Sequence, residues 1–385
     1  MPDRTRADST VERSAPLLSA TSEPTSRATP TGTRRYQQRF ARGPGQDFHR
    51  PFVNDLVVGS IGIGSYLGEP SAADDEAYAE AVRAAIGAGA NLLDTAINYR
   101  CQRSERVIGR VLRMACEAGV VTRDEVVVCT KGGFIPLDGA PPLTKEGYQG
   151  YLRREFYARH VMQPEDVIAG GHCIVPSFLS HQVRRSAQNL GVETIDLYYL
   201  HNPEQQLVAV DYAELLIRLR AAFAALERCV DEGLIASYGC ATWSGFRTPP
   251  DRKGHVAIAD LVRIAREVSG EGHHFRAIQL PVNLAMQEAV RLPTQPMPGG
   301  HLLTALDAAR ELGLSVVASA SLMQGKLAKD LPPQVAELFP GHANDAQRAL
   351  AFVRGLPISA ALVGMRTRAH VEENLAAGSG RPASG

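Results

Sequence analysis

An acid, a phenol, an ammonium and an imidazole stand at or just beyond the ends of three consecutive apolar runs. Asp94 closes the run in "NLLDTA", and Tyr99 follows it by five residues. Lys131 ends "VVVCTK", and His201 ends "DLYYLH". The chemistry such a set supports is proton donation by a phenol. A free tyrosine has a pKa of about 10, too high for an efficient acid near neutrality. A neighbouring ammonium favours the phenolate and lowers that value. Lys131 would supply the ammonium, Asp94 would hold it charged and in place, and His201 would orient a carbonyl oxygen by hydrogen bonding. With a hydride donor on the other face, this is carbonyl reduction.

Each residue also has a plain structural reading. Asp94 could cap a helix, Lys131 could be a solvated lysine beside Gly132 and Gly133, and His201 could belong to the turn at Asn202-Pro203. What favours chemistry is that all fall at equivalent ends of neighbouring strands. The elements that position them are therefore decisive.

From about Asp55 onward, short apolar runs alternate with longer helical patterns. Eight candidate strands are "LVVGSIGIG", "NLLDTA", "EVVVCTKG", "IDLYYLH", "IASYGCAT", "RAIQLPVN", "LSVVASAS" and "ISAALVG". Between them lie segments such as "SERVIGRVLRMACEAG", with apolar residues at three- and four-residue spacing and a terminal glycine. Strands apolar on both faces and each followed by a helix indicate a parallel sheet covered by helices. Eight such units over about 320 residues fit a closed (β/α)₈ TIM barrel, whose active site forms at the carboxyl ends of the strands. The expected organisation is one barrel over 51–378, with a long insertion about 134–176 between the third strand and its helix. An unstructured loop of roughly 45 residues inside a compact domain is usually functional.

Composition narrows the functional classes. The 385 residues balance 41 basic against 41 acidic side chains, which argues against a nucleic-acid partner gripped by bulk charge. No apolar run is long enough to span a bilayer, so no membrane partner is expected. The six cysteines show no metal-ligand spacing and read as reduced thiols of a cytoplasmic protein. Residues 1–50 are rich in Arg, Ser, Thr and Pro and are expected to be a disordered tail. The competing reading, an organelle transit peptide, is interrupted by Glu12 and Glu23. A second disordered tail is expected over 379–385.

The residues singled out above resemble, in order along the chain, motifs of the aldo-keto reductase superfamily. The resemblance covers nearly all of 55–377. It rests on "DTAINYRCQRSERVIGRVL", "VVVCTKGG", "GVETIDLYYLHNPE", "ASASLMQGKL" and "LVGMRTRAHVEENL". It implies that Asp94, Tyr99, Lys131 and His201 match the family's catalytic tetrad, with Tyr99 as general acid. It also implies an extended nicotinamide dinucleotide, NADP(H), across the barrel mouth. By position, Gly64, Ser65, Tyr66, Thr242 and Gln279 would lie near the nicotinamide, and Leu322, Gln324 and Lys326 in the pyrophosphate segment. Gly364 would also bind the cofactor, and Arg366 and Thr367 would meet the adenosine 2′-phosphate, with Glu373 and Asn374 at the adenine. An arginine suits a phosphate through paired donors, so Arg366, assisted by Arg368, favours NADP(H). The plain alternative for both is a solvated arginine at a helix start.

The sequence departs from the family pattern where Ala241-Thr242 replaces Ser-Asn, Ser319 replaces an aromatic, and Ser321 replaces a proline. Little chain follows "EENLAAG", so one side of the pocket is expected to be open or covered by the insertion. In the insertion, Tyr148, Tyr151, Phe156 and Tyr157 are interleaved with Arg153, Arg154, Arg159 and His160. Two readings are open: a pocket for a bulky or anionic substrate, or a lid that never touches it. Trp243 reads equally as a substrate wall or a core-edge aromatic.

The expectation is thus NADPH-dependent reduction of a small-molecule aldehyde or ketone, with oligomeric state left open. A short-chain dehydrogenase is set aside, because no Tyr has a Lys four residues on and the early glycines miss the GxGxxG spacing. A metal-dependent hydrolase is set aside because the histidine pair His273-His274 stands alone. Two alternatives stay open: a cofactor-binding regulatory subunit, and a redox-neutral nicotinamide-assisted reaction.

Overall fold

A computed structural model describes residues 26–41 and 48–379. In chain order the strands are β1 (His49–Pro51), β2 (Val57–Gly59), β3 (Ile61–Gly64), β4 (Leu92–Asp94), β5 (Val127–Gly132), β6 (Leu197–His201), β7 (Tyr238–Ala241), β8 (Phe275–Pro281), β9 (Gln295–Pro296), β10 (Leu302–Leu303), β11 (Ser315–Ser319) and β12 (Ala360–Val363). The helices are α1 (Pro30–Arg39), α2 (Ala72–Ile86), α3 (Arg103–Glu117), α4 (Lys145–Leu152), α5 (Pro176–Leu190), α6 (Tyr212–Asp231), α7 (Ile258–Ser269), α8 (Glu288–Arg291), α9 (Ala305–Glu311), α10 (Pro333–Leu338), α11 (Asp345–Arg354) and α12 (Arg368–Ala376). Strands β3 to β8, β11 and β12 close a parallel barrel, so each of the eight runs expected as a strand supplies one stave.

The first run divides. Val57–Gly59 pairs antiparallel with β1, whereas Ile61–Gly64 joins the barrel between β12 and β4. The switch falls at buried Ser60, whose N–H donates to the carbonyl of Phe48 (2.6 Å) and whose carbonyl accepts from Ala361 N (2.9 Å). The hairpin is a floor: Phe52, Val53, Leu56 and Val58 cluster with inward residues such as Leu92, Val127, Leu197 and Leu362. A second and larger core lies between the staves and the helices. The helices start where short polar side chains satisfy free N–H groups, as at Ser71, Asp211 and Asn344.

The expected disorder over 1–50 needs correcting for residues 26–41 and 48–50, the latter beginning β1; residues 1–25 and 42–47 lie outside the described residues, as do 380–385. Thr29 caps α1 by accepting from Gly32 N (2.9 Å), and Pro30 sits in its first turn. The helix lies across the foot of the barrel. Tyr36 is fully buried and donates to the carbonyl of Ile86 (2.5 Å), while Arg35 and Arg39 pair with Glu125. Ala28 N also donates to Asp196 Oδ1 (2.7 Å). Composition conceals this helix because its stability is tertiary, from one buried ring and ion pairs to the loop before β5. Tyr36→Ala is expected to cost about 3–5 kcal/mol, as for other large aromatic deletions in cores. A shift in urea unfolding worth less than about 1 kcal/mol would mean that α1 is not part of the folding unit.

Candidate active site

Strand register brings the ionisable groups to one rim. Asp94 on β4 pairs with Cys129 on β5, and Lys131 lies two residues further along β5. Lys131 in turn pairs with Tyr199 on β6, and His201 lies two residues further along β6. An even step preserves side-chain direction in a strand, so the three groups share the barrel's inward face while climbing toward its carboxyl end.

Lys131 and Asp94 form a buried ion pair, their side chains 1% and 4% exposed. Lys131 Nζ also donates to the carbonyl of Thr95 (2.8 Å), and Gln279 Nε2 donates to Asp94 Oδ2 (2.9 Å). The ammonium stands 5.3 Å from the centre of the Tyr99 ring. Burial works against the charge on Lys131, but Asp94 and Tyr99 more than offset this and hold its pKa above the ordinary lysine value. Burial pushes the Asp94 carboxyl up, against the pull of Lys131 and Gln279.

The expected lowering of the Tyr99 pKa requires a correction. Lys131 does pull it down, but burial acts more strongly in the other direction, and the phenol lies above its ordinary value. Tyr99 therefore carries its proton throughout the neutral range. His201 is held far below the ordinary imidazole value by burial, with the charges of Lys131 and His172 adding to it, so its ring is neutral at pH 7. The Tyr99 and His201 rings meet edge to face at 5.9 Å, with Tyr66 edge to face against Tyr99 and Phe134 edge to face against His201.

Two supports of this rim have no sequence signal. His172, from the insertion, contacts the backbone carbonyl of His201 through Nε2 (2.8 Å) and Gln206 Nε2 through Nδ1 (2.8 Å). A carbonyl only accepts, so Nε2 carries the hydrogen and Nδ1 receives the amide. Burial holds the His172 pKa down at about 4, keeping that neutral form. Gly133 permits the approach: at φ +136°, a Cβ there would lie 2.9 Å from the His201 carbonyl oxygen and 3.1 Å from His172 Nε2. The second support is the left-handed segment Arg100, Cys101, Gln102 (φ 49°, 54° and 68°) that leads out from Tyr99. Such backbone costs free energy in non-glycine residues. It is tied on one side by Arg100 to the Glu69 carbonyl (3.0 Å) and Asp75, and on the other by Gln102 to the Leu137 carbonyl (3.1 Å).

A cavity of about 760 Å³ opens above these groups. Of the residues singled out in the sequence, Gly64, Ser65, Tyr66, Asp94, Tyr99, His201, Thr242, Gln279, Leu322, Gln324, Gly364, Arg366, Glu373 and Asn374 line it. Lys131 lies beneath its floor. Lys326 and Thr367 do not line it, and the Thr367 hydroxyl caps α12 by accepting from His370 N (3.2 Å). Arg366 does line it but is ion-paired to Asp74, and Arg368 is paired to Glu372 on the same helix. Trp243 stands half exposed at the mouth. Buried Glu204 fixes its loop, accepting N–H groups from Trp243 (2.8 Å) and Ser244 (3.0 Å).

The sequence reading also missed Asn98 and Asn202, neighbours of Tyr99 and His201, and Phe134 at the start of the insertion, all of which line the cavity. The signal for the two asparagines was adjacency to the tetrad. The rest of the insertion does not line the cavity. Phe156 forms a small core with Ile135, Leu152, Met162, Cys173 and Phe178, and Tyr148, Tyr151 and Tyr157 pack around it. The reading of those aromatics as pocket walls is thus corrected: they hold the insertion together, and it reaches the site through Phe134 and His172. All six cysteines are free. Among the described residues, no cluster of His, Cys, Asp or Glu is placed to hold a metal ion, and no helix is long and apolar enough to cross a membrane.

Fold and rim together define a (β/α)₈ barrel with an acid, ammonium, phenol and imidazole at the carboxyl ends of its staves. The model of the Aldo/keto reductase family matches residues 56–248, and the chain belongs to that family. Among curated relatives, it is 31% identical to the D-threo-aldose 1-dehydrogenase of a Pseudomonas species over 185 residues, 48% of each chain. It is 28% identical to aldo-keto reductase family 1 member C1 of Macaca fuscata fuscata over 143 residues, 32% of this chain and 44% of that one. The chain thus spans about half the length of the curated relatives it matches. Among solved structures, an aldo/keto reductase from Klebsiella pneumoniae in complex with NADP and acetate superposes with a TM-score of 0.56 at 20% identity, covering 86% of this chain and 89% of that one. The holo form of an aldo-keto reductase from Bacillus halodurans gives 0.59 at 18%, covering 87% and 92%. These two likenesses concern the fold.

Proposed function

We propose that the protein reduces an aldehyde or ketone to an alcohol with NADPH, using Tyr99 as general acid. The observation that carries this reading is the Lys131 ammonium, buried against Asp94 and beside the Tyr99 ring, beneath a cavity that a carbonyl compound can enter. The cavity fits an extended dinucleotide. It runs from the tetrad past Gln324 to Arg366 and Asn374, and at the tetrad end Asn98 Oδ1 and His201 Nδ1 are buried without partners. Thr242 and Gln279 would hold the nicotinamide end, Leu322 and Gln324 the pyrophosphate, and Arg366, Glu373 and Asn374 the adenosine end. The Klebsiella pneumoniae structure of the same fold is described in complex with NADP, which supports a nicotinamide dinucleotide as the cofactor. When bound, the reduced nicotinamide supplies a hydride.

The rest belongs to the chain. A carbonyl oxygen seated between Tyr99 and neutral His201 receives a hydrogen bond from each. As negative charge develops on that oxygen, the Tyr99 proton moves to it from Oη. Lys131 stabilises the phenolate left behind, and Asp94 keeps Lys131 charged in a site too dry to solvate it. Tyr66, Phe134 and Trp243 line the cavity around this point.

The test is NADPH binding by fluorescence, followed by NADPH consumption with aromatic, aliphatic and sugar-derived carbonyls. The expected result is oxidation stoichiometric with alcohol formed. Binding with no turnover across the panel would replace this reading with a regulatory subunit. Carbonyl conversion without net NADPH loss would replace it with a redox-neutral reaction.

A further inference from the structure

Arg366, at the adenosine end of the cavity, already has an anion. Its Nη2 pairs with Asp74 Oδ1, on the first turn of α2. Asp74 is not a stray surface acid: it is 6% exposed and held from three sides. Its Oδ2 accepts from Glu69 N (2.6 Å), and its own N–H donates to Ser71 Oγ (3.2 Å), the cap of α2. Gly68, at φ +97°, leaves the space, since a Cβ there would lie 3.0 Å from Asp74 Oδ2. The Glu69 hydrogen bond, with Arg366 and Arg100 adding to it, holds this carboxyl below its ordinary value, so it is charged at neutral pH. Arg368 is paired to Glu372, and Glu373 lines the same end of the cavity. Each arginine that could greet a 2′-phosphate is thus answered by a carboxylate of this chain.

From this we infer that Asp74 is a specificity-determining residue that holds down the preference for the 2′-phosphorylated dinucleotide. The inference rests on the cofactor reading above. A 2′-phosphate must win Arg366 from Asp74 and then sit near a carboxylate that backbone bonds prevent from swinging away. Both effects weaken NADPH. A ribose 2′-hydroxyl faces neither, and it can donate to the carboxylate, the chemistry by which acidic residues select NADH elsewhere. The free arginine that the sequence suggested as an NADP(H) signal is therefore an arginine in equilibrium between two anions.

The experiment measures dissociation constants of NADPH, NADH, 2′,5′-ADP and 5′-AMP by calorimetry at low salt, on the full chain. Native protein is compared with Asp74→Asn and Asp74→Ser, both of which keep an acceptor for Glu69 N. The ratio of NADPH to NADH affinity is expected to rise on the order of tenfold in both variants, from the freed arginine and the removed repulsion together. The affinity for 2′,5′-ADP should follow it, and that for 5′-AMP should not. Adding Arg366→Met should remove the part of the gain that comes from the freed arginine. An unchanged ratio in a variant with native melting temperature overturns the inference and leaves the cofactor reading intact. Native protein that binds neither dinucleotide overturns both.

Discussion

Tyr99→Phe is expected to lower kcat by about a hundredfold to ten-thousandfold, the range for loss of a positioned general acid. The substitution removes one oxygen and keeps the ring, so the edge-to-face contacts with Tyr66 and His201 survive. NADPH affinity should therefore change little, and unfolding stability should stay within about 1 kcal/mol of native. Single-turnover kinetics with the best carbonyl of the panel checks this. A variant retaining more than about a tenth of native kcat would mean that another group delivers the proton. The pH dependence has a definite sign. The proton-bearing phenol is the active form and burial raises its pKa, so this group supports activity at neutrality and limits it only as pH climbs past the ordinary phenol range.

Lys131→Met is expected to damage stability and catalysis together. The ion pair it breaks is almost wholly buried, and Gln279 alone would remain to face the Asp94 carboxylate. An uncompensated buried charge costs about 3–5 kcal/mol. Tyr99 would at the same time lose the Lys131 cation that pulls its pKa down, so its pKa would rise further and its phenolate would lose support. Pairing the change with Asp94→Asn separates the two losses. The double variant should regain most of the stability, because no charge is stranded, while activity stays low. Urea unfolding and kcat on the same preparations decide the matter. A single Lys131→Met variant as stable as native would show that the pair contributes no charge balance to the fold.

The barrel could be read from the sequence because its staves are apolar on both faces and its helices keep their period, signals that are local. The convergence of the four rim groups was legible for the same reason: Asp94, Lys131 and His201 lie at the carboxyl ends of staves, and Tyr99 follows the first of them by five residues. Helix α1 was not, since Tyr36 is its one fully buried large side chain and its partners Glu125 and Asp124 lie far along the chain. His172 was invisible because its partners, Gln206 and the His201 carbonyl, are set by how the insertion folds back. The direction of the Tyr99 pKa shift depends on a balance between burial and charge, and spacing records only the charge. The state of Arg366 depended on Asp74, 292 positions earlier.

The segment carrying Ala28 and α1 runs along the foot of the barrel, bonded to Asp196 and the loop before β5, on the side away from the tetrad. A group attached to the side chain of Ser26, the first described residue, would sit on that underside, beside Thr194. A resin, an electrode or a second enzyme attached there would hold the barrel mouth-outward, with the cavity facing the bulk solution. The same attachment at the end of α12 would lie beside the part of the cavity lined by Asn374. For an immobilised catalyst, the amino-terminal side is the handle to use.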